Sequence, residues 1–98
     1  MIKGFRHKGL EVFFTTGSMA GIQAAHKSKL ARQLNQLNQA SQVQDMNIAG
    51  WKLHKLTGKN HKNQLVDGHY AVSVNGNWRL TFYFEAENAV LVDYQDYH

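Results

Sequence analysis

Apolar residues recur at helical spacing in the first half of this chain and at alternate positions in the second. Leu10, Phe13 and Phe14 stand three and four apart within Lys8 to Thr15, which predicts a short amphipathic helix. Gly17 is placed to stop it. From Gln23 onward, Ala24, Lys27, Leu30, Ala31, Leu34 and Leu37 form one stripe of a longer helix ending near Asn38. Lys29, Arg32, Gln33 and Gln36 are expected to face away from that stripe. A further helical piece is predicted at about Val43 to Ile48, and Ile2 to Phe5 reads as a short strand.

The period then changes to two. Trp51 and Leu53 alternate with Lys52 and His54; Tyr70, Val72 and Val74 alternate with Ala71 and Ser73. Trp78, Leu80, Phe82 and Phe84 alternate with Arg79, Thr81 and Tyr83. Asn75-Gly76 marks a tight hairpin, because both residues accept the positive φ of a type I′ turn. Glu87-Asn88 closes the next hairpin into a terminal strand through Ala89, Val90, Leu91 and Val92. Helices followed by an antiparallel meander make an α+β fold. One sheet face is expected to lie against the helices and the other to present Arg79 and His54. The polar, basic stretch from Thr57 to His69 reads as a surface loop.

Composition narrows the class. The 98 residues suit a single domain, 1–98, and the 43% hydrophobic content can build a core. A net charge of +4 and a pI of about 9.5 favour anionic partners. There is no cysteine, hence no disulfide framework and no thiol nucleophile. The start of the chain lacks the apolar run of a signal peptide, and no stretch is long and apolar enough for a membrane span, so a cytoplasmic address with no membrane contact is expected. The six histidines show no pair one helical turn apart, so neither a metal nor a cofactor is expected.

The candidate chemistry gathers in the strands and the tail. Asp93-Tyr94-Gln95-Asp96-Tyr97-His98 places carboxylates, phenols and an imidazole at the end of a strand. Arg79 has the planar fork that clamps a phosphate, although a solvent-facing strand arginine is the ordinary reading. His54 is a strand histidine or a general acid–base group. Tyr94 and Tyr97 suit packing with wet hydroxyls as well as proton donation, and Asp96 suits an ion pair as well as orienting an imidazole. Lys59 and Lys62 belong either to a solvated connection or to a lip touching phosphate. A metal-free set of histidine, arginine, carboxylate and tyrosine fits RNA cleavage by its own 2′-hydroxyl, leaving a 2′,3′-cyclic phosphate.

Four segments carry a family resemblance. Met1-Ile2-Lys3-x-Phe5-x-His7-Lys8-Gly9-Leu10, Lys52-Leu53-His54-x-Leu56-x-Gly58, Val74-x-x-Asn77-Trp78-Arg79-x-x-Phe82 and the closing Asp96-Tyr97-His98 resemble the HigB toxins of the RelE superfamily. The resemblance implies a RelE-like fold, with a short N-terminal strand and two to three helices packed on a C-terminal antiparallel sheet. It implies an endoribonuclease toxin of a type II toxin–antitoxin system, cutting mRNA in the A site of the 70S ribosome with contacts to 16S rRNA. It further implies a HigA-like helix-turn-helix antitoxin, with operator DNA reached only through the toxin–antitoxin complex. Position by position, the catalytic residues fall on His54, Arg79, Asp96, Tyr97 and His98; RNA contacts are expected at Lys55, Lys59, Lys62 and Asn77. Where the family commonly reads Pro-Leu-Lys-Gly after the histidine, this chain has Lys55-Leu56-Thr57-Gly58, so that basic contact passes to Lys55 or Lys59. The alternatives are a non-catalytic RNA-, ribosome- or antitoxin-binding module of the same fold, and a ribonuclease that needs no ribosome.

Overall fold

The computed structural model describes residues 1–97. Helix α1 runs over Lys8–Thr16. The His7 imidazole caps it, Nδ1 accepting the Leu10 N–H at 2.9 Å. It ends at Gly17, whose φ of 82° lets its N–H reach the Phe13 carbonyl. A 3-10 turn at Ala24–His26 leads into helix α2, Lys27–Gln39, and a second 3-10 turn covers Val43–Met46.

Helix α2 departs from the expected stripe. Ala24 and Lys27 are exposed. Gln33 is fully buried beside Leu30, Leu34 and Leu37. Spacings of three, four and seven from Leu30 put position 33 on the apolar face whatever occupies it. Its polarity is accommodated by one bond, Nε2 donating to the Ser73 carbonyl at 2.8 Å.

The sheet is antiparallel, in the order β1-β2-β3-β4. Its strands are β1 (His54–Lys55), β2 (Tyr70–Asn75), β3 (Trp78–Glu85) and β4 (Asn88–Asp96). The β2–β3 hairpin turns at Gly76, with φ at 55°. Strand β1 is shorter than the alternation from Trp51 suggests. Lys52 takes a φ of 54°, which breaks the extended run, and Trp51 meets the sheet through its carbonyl, which accepts from Ser73 N–H at 2.7 Å. The expected N-terminal strand reduces to two parallel bridges on the free edge of β4, Ile2 to Ala89 and Phe5 to Val92.

The inner sheet face carries Val72, Val74, Leu80, Phe82, Val92 and Tyr94 against Leu10, Phe13, Leu30, Leu34, Leu37 and Met46. The outer face is not open. Thr81, Asp93 and Gln95 are buried on it, because the segment 57–69 folds over that side. Val66 and His69 are buried there, with the His69 ring 5.2 Å from that of Tyr83. This segment, expected as a solvated connection or a mobile lip, has an internal ladder instead. Asn60 N–H donates to Gln64 O at 3.0 Å, Val66 N–H to Gly58 O at 2.8 Å, and the Asn60 and Gln64 amides pair at 2.8 Å.

Candidate active site

Strand register decides which side chains can meet. His54 pairs with Ala71, Ala71 with Thr81, and Thr81 with Asp93. Arg79 pairs with Ser73 on one side and Gln95 on the other. Paired residues share a face, and so do residues two apart. His54, Arg79, Gln95 and Tyr97 therefore share the outer face. One strand, β2, lies between His54 and Arg79, so two strand spacings separate them, a lateral gap of about 10 Å.

Local bonds set the chemistry of each group. His54 is exposed, with Nδ1 2.9 Å from the Lys52 carbonyl. A carbonyl only accepts, so Nδ1 carries the proton and Nε2 has the lone pair in the neutral ring. Arg79 Nη1 donates to the Gly76 carbonyl at 2.6 Å and the Trp78 carbonyl at 3.0 Å. Those bonds hold the fork by the hairpin backbone, and none to the described residues uses its Nε–Nη2 edge. That edge is the one that grips two phosphate oxygens.

Tyr97 is half-buried, and its N–H donates to the Asn77 carbonyl at 2.8 Å. So Asn77, exposed at the hairpin, positions the tail through its backbone. The Tyr97 hydroxyl is buried and makes no well-formed hydrogen bond among the described residues. Burial raises its pKa, as does Asp93, while the neighbouring Asn60 amide and Arg6 pull the other way. It therefore keeps its proton at neutral pH. The His61 ring meets it edge-on, with centroids 5.9 Å apart.

The remaining candidates scatter. Asp96 pairs with Trp78, so its side chain leaves the sheet on the opposite side from Arg79. It lines a cleft at the end of β4 with His7, Lys62 and Trp78. Lys55 pairs with Tyr70 and is exposed on the other side of the sheet from His54. Lys59 and Lys62 are exposed in the covering segment. His98 lies outside the described residues.

Sequence reasoning missed a second aromatic cluster behind the tail. The Tyr94 hydroxyl lies 2.6 Å from His26 Nδ1 and accepts the Gln23 N–H at 3.3 Å. It is dry, not wet, and burial raises its pKa. Its ring stacks on Trp78 with centroids 4.6 Å apart. His7 meets Tyr94 edge-on at 5.5 Å. The available signal was the alternation Val92, Tyr94, Asp96, which continues the inner face past the apolar run.

A family model described as the RelE-like toxin of type II toxin–antitoxin system HigB matches residues 3–98. The endoribonuclease HigB of Proteus vulgaris is 34% identical over 98 residues, covering 100% of both chains.

Proposed function

The chain belongs to the HigB-like family of RelE-like toxins of type II toxin–antitoxin systems, and from that premise we propose that it is an endoribonuclease cutting mRNA in the ribosomal A site. The observation that carries this reading is the shared outer face of His54, Arg79 and Tyr97, each with the right atom unengaged by the described residues.

In the proposed reaction, the Nε–Nη2 edge of Arg79 holds the scissile phosphate and the charge that develops on it. His54 Nε2 takes the proton of the 2′-hydroxyl. The 2′-oxygen forms a bond to phosphorus, the bond to the 5′-oxygen breaks, and that oxygen receives a proton from Tyr97 or His98. The products are a 2′,3′-cyclic phosphate and a 5′-hydroxyl end. The gap between His54 and Arg79 is filled by the ribose and phosphate. Asp96 acts from the other side of β4, orienting the end of the tail or a neighbouring nucleotide.

Lys55 is exposed on the other side of the sheet from His54, and Lys59 and Lys62 on the covering segment, so they fit contacts to ribosomal RNA phosphates better than contacts within one catalytic pocket. A type II toxin implies an antitoxin partner. We assign a HigA-like helix-turn-helix protein to that role, with operator DNA bound through the complex. The site of action is the cytoplasm, where ribosomes translate.

The test is to map mRNA ends after mixing the purified chain with translating ribosomes. Arg79→Ala is expected to lower cutting by about 100-fold or more, and His54→Ala by a similar factor. Both variants should keep the wild-type melting profile. Near-normal cutting by Arg79→Ala overturns the assignment; binding without any cuts by the wild type makes the protein a docking module.

A further inference from the structure

Tyr97 Oη is buried, yet a hydroxyl that gives its proton to RNA must reach it. The tip of the covering segment stands against it. The His61 ring meets the Tyr97 ring edge-on at 5.9 Å, and the Asn60 amide neighbours the hydroxyl. Asn60 cannot accept the phenol proton. Its Oδ1 takes the N–H groups of Lys62 and Gln64, each at 3.0 Å, and its Nδ2 only donates. Under the tip the phenol proton thus has no acceptor among the described residues, a cost that favours opening.

The tip is bonded as one piece. Lys59 bridges Leu65, Asn60 N–H donates to Gln64 O at 3.0 Å, Asn63 N–H donates to Asn60 O at 2.9 Å, and the Asn60 and Gln64 amides pair at 2.8 Å. Among the described residues, no well-formed hydrogen bond joins 59–65 to the sheet. No side chain of 59–65 is buried. The base differs: Val66 and His69 are buried, and Leu56 N–H donates to His69 O at 2.8 Å. A unit with internal bonds and no buried anchor opens more easily than the base that carries it. Lys59 and Lys62 are exposed cations on that unit, so an RNA backbone attracts the piece that has to move.

We propose that residues 59–65 form a lid, shut over Tyr97 in the free protein, that lifts from its anchored base to let the hydroxyl reach RNA. Its biological use rests on the nuclease reading, but the shut state is testable without cleavage.

Nitration by tetranitromethane, located by mass spectrometry, reads the access of each tyrosine. Tyr83, 37% exposed, and Tyr94, 2% exposed, set the two limits. In the wild type, Tyr97 is expected to react at least about tenfold more slowly than Tyr83. Replacing 60–64 by Asn-Gly closes the Lys59–Leu65 bridge with a two-residue turn. That chain should nitrate Tyr97 within about threefold of the Tyr83 rate. His61→Ala, a milder change at an exposed position, should give an intermediate rate, and it decides the matter if the shortened chain does not fold. Tyr97 reacting like Tyr83 in the wild type, or staying slow in both variants, overturns the lid. On translating ribosomes, His61→Ala should cut within about threefold of wild type, and Tyr97→Phe should lower cutting about 100-fold. A larger loss in His61→Ala makes the tip part of the chemistry and overturns the lid, as does full cutting by Tyr97→Phe. A protected Tyr97 in a wild type that does not cut overturns the nuclease reading alone.

Discussion

The two faces of the sheet are both buried, but for opposite reasons. On the inner face Val72, Val74, Leu80 and Phe82 are at most 2% exposed, and all are apolar. Burial there needs only shape and area. On the outer face Thr81, Asp93 and Gln95 are each 3% exposed, and all are polar. Each must find a partner, and the accounting does not close. Asp93 is served by Tyr94 N–H at 2.8 Å and by the Gln95 amide, yet His69 Nδ1, Gln95 Oε1 and Tyr97 Oη remain without hydrogen bonds among the described residues. The apolar inner-face side chains of the sheet need no partner, and the unmet polar atom packed on that side, Gln33 Oε1, comes from α2. The outer face is left with unmade bonds on the same side as the groups that would handle a phosphodiester.

The sharpest way to break this comparison is to exchange one residue from each face. Phe82→Ala removes a fully buried ring from the inner face and is expected to cost about 3–5 kcal/mol. That is a large share of the roughly 5–15 kcal/mol available to a domain, so urea denaturation should show a much lower midpoint. Arg79→Ala should leave that midpoint within about 1 kcal/mol of wild type, because surface substitutions of this kind disturb little, while abolishing most mRNA cutting. If Arg79→Ala unfolds as readily as Phe82→Ala, the outer face is structural and the division between the faces fails.

The same division explains what the sequence made legible. The α+β order, both helices and the inner-face residues follow from periodicity, which reports only which side a residue takes. The hairpins follow from their turn residues, each displaced by one position: Asn75 pairs with Trp78 and Glu85 with Asn88, so the turns are Gly76-Asn77 and Ala86-Glu87. Periodicity also put Arg79 and His54 on one face, and the register agrees. It does not report what covers that face. The segment 57–69 lacks an apolar period, yet Val66 and His69 anchor it over the sheet. Polarity points Gln33 outward, although its position is on the α2 stripe and it is buried. The family resemblance groups Asp96 with Arg79 through the terminal Asp96-Tyr97-His98, but strand alternation sends it to the other side of the sheet. The family resemblance names the candidate residues; the register shows which of them share a face.

Acid should loosen both faces, by an intermediate amount. Burial is the main cause lowering the pKa values of His7, His26 and His69 below 6.5. His7 and His26 serve the inner cluster; His7 also feels Asp93 and Lys62, which oppose each other. His69 lies beneath the covering segment, within reach of Arg6 and Asp93. A histidine with a lowered folded pKa binds its proton more tightly when unfolded. Its stabilising contribution is thus fully present above about pH 6.5 and is lost as pH falls through that value toward the folded pKa. Thermal melts should be flat from pH 8 to about 7 and fall steadily toward pH 5. His69→Leu should flatten part of that slope; an unchanged slope would remove the outer face from the account.

The smallest effect tests whether polarity matters on the inner side at all. Gln33→Met keeps length and approximate volume in a site surrounded by Leu30, Leu34 and Leu37. It removes the bond to the Ser73 carbonyl, a loss of about 1 kcal/mol. It also removes Oε1, which is buried and unpaired, and so relieves a cost of similar size. The two should nearly cancel, leaving urea midpoints within about 1 kcal/mol of wild type. A loss of 3 kcal/mol or so would mean that one amide pins α2 to β2, and that the inner face, like the outer, depends on a specific polar contact. Near-neutrality would keep the contrast intact: the packing tolerates a buried amide on one face, whereas the Gln95 amide on the other is held by the Asp93 carboxylate.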